Sequence, residues 1–95
     1  MVLTNLYFQQ KRDKIMYKLT LRAARLNRGL SVKQVAEKTG ISQSTIRRME
    51  KESGKSRFSK ALLLLKLYRV STDQIHWGNE IEYVKFIGNT LAKAE

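Results

Sequence analysis

An all-α fold of five short helices in one domain is predicted by three features of the sequence. Apolar residues recur at helical spacing within short segments. A serine opens several of those segments and a glycine closes most of them. Proline is absent and the chain is 95 residues long, room for one domain with a modest core. A hydrophobic fraction of 42% is too high for a disordered chain.

The first fifteen residues differ from the rest. The run Asn5-Leu6-Tyr7-Phe8-Gln9 resembles the core of a viral protease cleavage site, with Thr4 and Gln10 in the flanking places. Residues 1–15 are therefore either a natural arm or an appended segment, and Met16 stands where a start would suit the domain behind it. As an arm, Lys11, Arg12 and Lys14 would suit a minor groove; the plainer expectation is a disordered terminus.

The first helix is expected over Lys18–Arg28, with Leu19, Leu21, Ala23, Ala24 and Leu26 set among Arg22, Arg25 and Arg28. Gly29 suits its left-handed cap. Ser31 and Gln34 form an S-x-x-Q capping box for a second helix, Val32–Thr39. Gly40 breaks that helix, with Val35 and Ala36 inward. Ser42 then caps a third helix, Gln43–Lys51. Ile46 and Met49 lie on its inward side, and Gln43, Ser44, Arg47 and Arg48 on its outward side.

Glu52–Ser56 reads as a loop. Phe58–Val70 is a fourth helix, apolar on nearly all faces and therefore expected to be central to the core. Ser71 would cap a short fifth helix, Thr72–Trp77, with Asp73 favourable to its dipole. Tyr68 and Trp77 suit the core or a dimer interface. In Asn79–Glu95, Ile81, Val84, Ile87 and Leu91 fit a helix, while Tyr83–Ile87 also fits a short strand. The expected divisions are an arm or appended segment at 1–15, a domain at 16–78, and a tail at 79–95 that is a candidate dimerisation segment.

Charge narrows the function. Nineteen Lys and Arg against eight Asp and Glu give a net +11, which calls for a polyanionic partner. Residues 1–69 carry +13 and residues 70–95 carry −2, so the basic surface belongs to the front of the chain. No apolar run approaches the roughly 20 residues of a membrane span, and no signal-peptide pattern opens the chain. A cytoplasmic protein of a bacterium or a phage-infected cell is expected. Cysteine is absent, which excludes disulfides and thiolate metal sites. His76, the single histidine, has no ligand partners in sequence, so neither a metal nor a cofactor is expected. With no nucleophile–base pair and no glycine-rich phosphate loop, neither is an enzyme.

Two short helices joined by Thr39-Gly40-Ile41 make a helix-turn-helix signal. Small Ala36 permits close packing, Gly40 takes the positive-φ turn, and Ile41 pins the turn to the core. The third helix then projects at an angle that enters a major groove. The run from Leu30 to Glu50, with the later Leu62–Ile75 segment, resembles the Cro/repressor-type (XRE) helix-turn-helix family, over residues 18–78 in all.

That resemblance implies a lambda-repressor-like domain of five helices that binds operator DNA, usually as a dimer. Matched position by position, Gln43, Ser44, Arg47 and Arg48 become the groove-facing residues. Gln can bond an adenine edge twice, and Arg a guanine edge twice. Ser42 would cap the helix and touch a phosphate. Lys33 and Gln34 would grip the backbone, with Lys51, Lys55 and Arg57 as further phosphate contacts. The resemblance makes Arg25 and Glu50 an ion pair between the first and third helices. The plainer alternative for the outward face is a solvated helix surface, and each of these lysines taken singly is as readily a solvated charge.

The expected function is a sequence-specific, double-stranded-DNA-binding transcriptional regulator acting by operator occupancy, blocking polymerase or contacting it. A homodimer on a palindrome is expected, joined through the fifth helix and the tail, unless the tail folds back over Tyr68 and the fourth helix. Two readings compete. One is an antitoxin whose tail binds a toxin; a toxin gene next door would mark it. The other is a basic protein that coats RNA or membranes without sequence choice.

Overall fold

The computed structural model describes residues 18–94, so the expectations for residues 1–15, including Lys11, Arg12 and Lys14, fall outside the described residues. Among the described residues five α-helices follow in order: α1 Leu21–Asn27, α2 Val32–Thr39, α3 Gln43–Lys51, α4 Phe58–Tyr68 and α5 Glu80–Ala94. Single 3-10 turns lie at Ser53–Lys55 and Thr72–Gln74.

Local chemistry sets most of the helix ends. Thr20 caps α1, its hydroxyl accepting from Ala23 N at 3.0 Å. The helix thus starts after Lys18–Thr20, later than its apolar pattern suggested, because Leu19 is engaged elsewhere. Gly29 ends α1 at φ 68°. The Ser31–Gln34 capping box is complete, with bonds of 3.1 and 2.8 Å. Gly40 closes α2 at φ 79°, in the left-handed region that glycine takes without steric cost. Arg69 closes α4 in the same region at φ 58°.

The core gathers Leu21, Ala24, Val35, Ile41, Ile46, Met49, Ala61, Leu64, Leu65, Tyr68 and Ile75. These come from α1 to α4, from Ile41 in the turn between α2 and α3, and from the extended chain after Thr72–Gln74. Helix α4 is not buried all round. Ala61, Leu64, Leu65 and Tyr68 face the core, but Phe58, Leu62 and Leu63 are exposed. The neighbouring helices cover one side of it, and its apolar excess stays on the surface.

The fifth helix expected at Thr72–Trp77 is a single turn of 3-10 helix, Thr72–Gln74. The backbone then extends, since Leu19 N donates to Gln74 O and His76 N donates to Leu19 O, both at 2.8 Å. This isolated parallel bridge of Leu19 with Ile75 takes the groups that a longer helix would use. Ile75 is fully buried, which fixes the extended path. Trp77 lies beyond it, half-buried, its Nε1 donating to Thr72 O.

Ser53 holds this segment in place. Its buried hydroxyl donates to His76 O at 3.0 Å and accepts from Gly78 N at 2.9 Å. The backbones touch here, and a Cβ on Gly54 would meet Gly78 Cα at 3.4 Å. The tail is helical rather than a strand. Asn79 caps α5, accepting from Glu82 N at 2.9 Å and donating to Glu52 Oε2 at 2.8 Å. Tyr83 stacks on His76 at 3.9 Å and donates its hydroxyl to Lys18 O at 2.8 Å. The tail therefore folds back onto its own chain at Lys18, Glu52 and His76, while Ile81 and Val84 remain exposed.

Candidate nucleic-acid interface

The turn between α2 and α3 determines how α3 is presented. Gly40 reverses the chain and Ile41 is buried behind it, 5% exposed. Thr39 stiffens the bend: its hydroxyl donates to Val35 O at 2.8 Å and accepts from Ile41 N at 3.2 Å. Ser42 then caps α3, accepting from Thr45 N at 3.2 Å. The opposite side of α3, Ile46, Met49 and Glu50, is locked into the core. Ser44, Arg47, Arg48 and Lys51 are thereby held toward solvent, with Gln43 partly covered.

The buried pair of Arg25 and Glu50 fixes α3 from behind. Arg25 Nε meets Glu50 Oε2 at 2.6 Å and Nη2 meets Oε1 at 3.2 Å, a fork-on-fork geometry. Nη1 donates to Leu30 O at 2.9 Å, tying in the start of α2 as well. The hydrogen bond to Glu50 holds the Arg25 guanidinium above its ordinary range, against the opposing effect of burial.

On the outer face the side chains hold one another. Arg47 Nη2 donates to Gln43 Oε1 at 3.2 Å, and Arg48 Nη2 donates to Thr45 Oγ1 at 3.3 Å. Thr45 also receives a bond from Ser42 Oγ at 2.9 Å. The result is a pre-ordered row of donors, each guanidinium making one of these bonds and carrying further N–H groups.

Beside α3 runs a groove of about 380 Å³ lined by Thr45, Arg48, Met49, Lys55, Ser56, Arg57 and Lys60, four of them cationic, and by one carboxylate, Glu52, which accepts from Asn79. It gathers three of the residues singled out from the sequence, Arg48, Lys55 and Arg57. Lys60 and Thr45 were missed. Lys60 lies outside the helix-turn-helix motif, on the first turn of α4, and nothing local in the sequence marks it. The N-terminus of α4 opens at this groove, and its N-cap residue, Arg57, makes no side-chain cap bond. The helix dipole there favours an anion. Lys33 and Gln34 sit on the first turn of α2 and Lys51 at the end of α3, none of them lining this groove. The Gln34 carbonyl oxygen is committed to its capping box.

Among the described residues, no group of three or more His, Cys, Asp or Glu could hold a metal ion. No described helix is long and apolar enough to cross a membrane.

The model of the helix-turn-helix family matches residues 21–75, from the first residue of α1 to the buried Ile75. A curated protein of Bacillus subtilis strain 168, named an uncharacterized HTH-type transcriptional regulator, YobD, is 42% identical over 60 residues. That alignment covers 63% of this chain and 54% of the relative, so the chain spans about half the length of the curated relative it matches.

Proposed function

The chain belongs to the helix-turn-helix family, and from that premise we propose that it is a transcriptional regulator that reads double-stranded DNA by sequence and acts by occupying its operator. One observation carries the reading. Helix α3 has one face locked into the core by Ile46, Met49 and Glu50, and the other lined with long hydrogen-bond donors beside a cationic groove. That division is what a helix needs to enter a major groove without distorting its own domain.

In this reading Gln43, Ser44, Arg47 and Arg48 meet base edges. The Arg47–Gln43 bond opens when the helix enters the groove, freeing Gln43 for a bidentate contact with adenine. Ser42, Lys33, Gln34, Lys51, Lys55 and Arg57 meet phosphates, and Lys60 joins them. Gln34 keeps its cap through its oxygen and offers its amide N–H to the backbone. Two copies on a palindrome would set their α3 helices about 34 Å apart, one turn of DNA.

The test is a gel-shift titration on the DNA upstream of the protein's own gene, against a random duplex of equal length. Binding that favours the upstream duplex by about a thousandfold or more supports the reading. Equal affinity for both overturns the claim of sequence choice and leaves a non-specific coating protein.

A further inference from the structure

The cationic groove beside α3 contains one carboxylate, Glu52, the C-cap residue of that helix. A carboxylate there opposes any phosphate that enters, and four cations share its lining: Arg48, Lys55, Arg57 and Lys60. Arg48 is one helical turn back along the chain, since Glu52 N donates to Arg48 O at 3.0 Å. Opposite charges at that spacing are placed to pair. Among the described residues, Glu52 pairs with none of the four. Its Oε2 instead accepts from Asn79 Nδ2 at 2.8 Å.

Asn79 is itself held for that bond. Its carbonyl oxygen is taken by the start of α5, accepting from Glu82 N at 2.9 Å, which leaves the amide N–H2 end for Glu52. The backbones set the two residues opposite each other: Glu52 and Asn79 form an isolated antiparallel bridge, and Ser53 N donates to Gly78 O at 3.0 Å. Asn79 does not line the groove, so the bond draws the carboxylate toward the tail and away from the cations. A neutral donor thus satisfies a charged acceptor, and the groove gives up no cation to do it.

We propose that Asn79 is a positioning residue for polyanion binding, holding Glu52 aside so that Arg48 and Lys55 stay available to the nucleic acid. The inference rests on the DNA-binding reading above and extends it to the tail. Once Asn79 lets go, Glu52 turns to Arg48 or Lys55 and withdraws a cation from the phosphates. Helix α5 thereby acts on the groove, although none of its described residues lines it.

A double-mutant cycle on the full chain tests the proposal, read as affinity for a random-sequence duplex and as the salt needed to elute each protein from immobilised heparin, a sulfated polyanion. Asn79→Ser keeps an oxygen that caps α5 and removes the donor to Glu52 without changing the net charge. It should weaken duplex binding about three- to fivefold, the worth of one exposed ion pair, and lower the slope of log affinity against log salt by about one. Asn79→Thr, also a capping residue, should do the same. Glu52→Gln should bind more tightly than the wild type, and Asn79→Ser added to it should change nothing further. An Asn79→Ser protein that binds like the wild type overturns the proposal. So does an Asn79→Ser loss that is equally large beside Gln at 52, which would make it a general loosening of the fold. A wild type that binds the duplex while the cycle shows no coupling overturns this inference alone. A wild type that binds no duplex overturns the DNA reading alone, and the order of elution from heparin still decides the role of Asn79.

Discussion

Arg25 and Glu50 are 9% and 8% exposed at their side chains, and each is the other's main compensation for lost hydration. Breaking such a pair leaves one buried charge uncompensated, which costs about 3–5 kcal/mol. Arg25→Ala should therefore lower the thermal midpoint of unfolding by many degrees, and an unchanged midpoint would show that the pair contributes nothing. Tyr68 behaves differently. Its ring is buried and its hydroxyl has no hydrogen-bond partner among the described residues. Burial pushes the phenol well above its ordinary value of 10.0. A group whose folded pKa is raised stabilises the fold fully below the unfolded pKa, and that contribution is lost as pH rises above it. Stability should thus fall as pH climbs past 10.0, because only the unfolded chain releases that proton. Tyr68→Phe should flatten this part of the curve in denaturant titrations across that range, and identical slopes for both proteins would refute the assignment.

The helices themselves were largely legible in the sequence because their ends are local events. The Ser31–Gln34 box, Gly40 and Ser42 each act within four residues, and each does in the structure what its neighbours predict. The segment after Ser71 was not legible, because its path is set by Leu19 and Ser53, distant in sequence. Nothing in the run Glu52–Ser56 marks Ser53 as the residue that holds residues 76–78. Ser53→Ala should cost about 1–3 kcal/mol, the penalty of leaving Gly78 N and His76 O without that partner, measured by chemical denaturation; a loss within error would mean that the backbone bond of Ser53 N to Gly78 O suffices. The candidate site was readable where it follows the motif, on α3, and unreadable at Lys60, which the fold brings to Arg48 from a different helix. Within α3 the proposed roles separate by experiment. Gln43→Ala and Arg48→Ala should each cost about 1–3 kcal/mol on the operator and relax base choice there. Lys33→Ala should weaken all duplexes alike. Equal losses on operator and random DNA for Gln43→Ala and Arg48→Ala would remove them from the base readers.

At the scale of the whole molecule the charge is partitioned, and the partition has a measurable consequence. The basic excess sits in residues 1–69, while the acids Glu80 and Glu82 occupy the first turn of α5, where they meet the positive end of that helix's dipole. The acids of the tail are thus separated in sequence from the basic front and are stabilised where they stand by the helix that carries them. Seven cations, Lys33, Arg47, Arg48, Lys51, Lys55, Arg57 and Lys60, lie on α2, α3, the Ser53–Lys55 turn and the start of α4. A protein that neutralises about six to ten phosphates loses about three to five orders of magnitude in affinity between roughly 50 and 200 mM salt, since each contact releases a condensed counterion. A plot of log affinity against log salt should therefore fall with a slope of about −0.9 for each phosphate engaged. Lys60→Ala should reduce that slope by about one and leave base choice untouched, because an ammonium at the mouth of the groove acts on charge alone. Lys60→Ala binding with the wild-type slope would remove Lys60 from the backbone contacts. A wild-type affinity indifferent to salt would remove the phosphate-facing role from the whole basic surface.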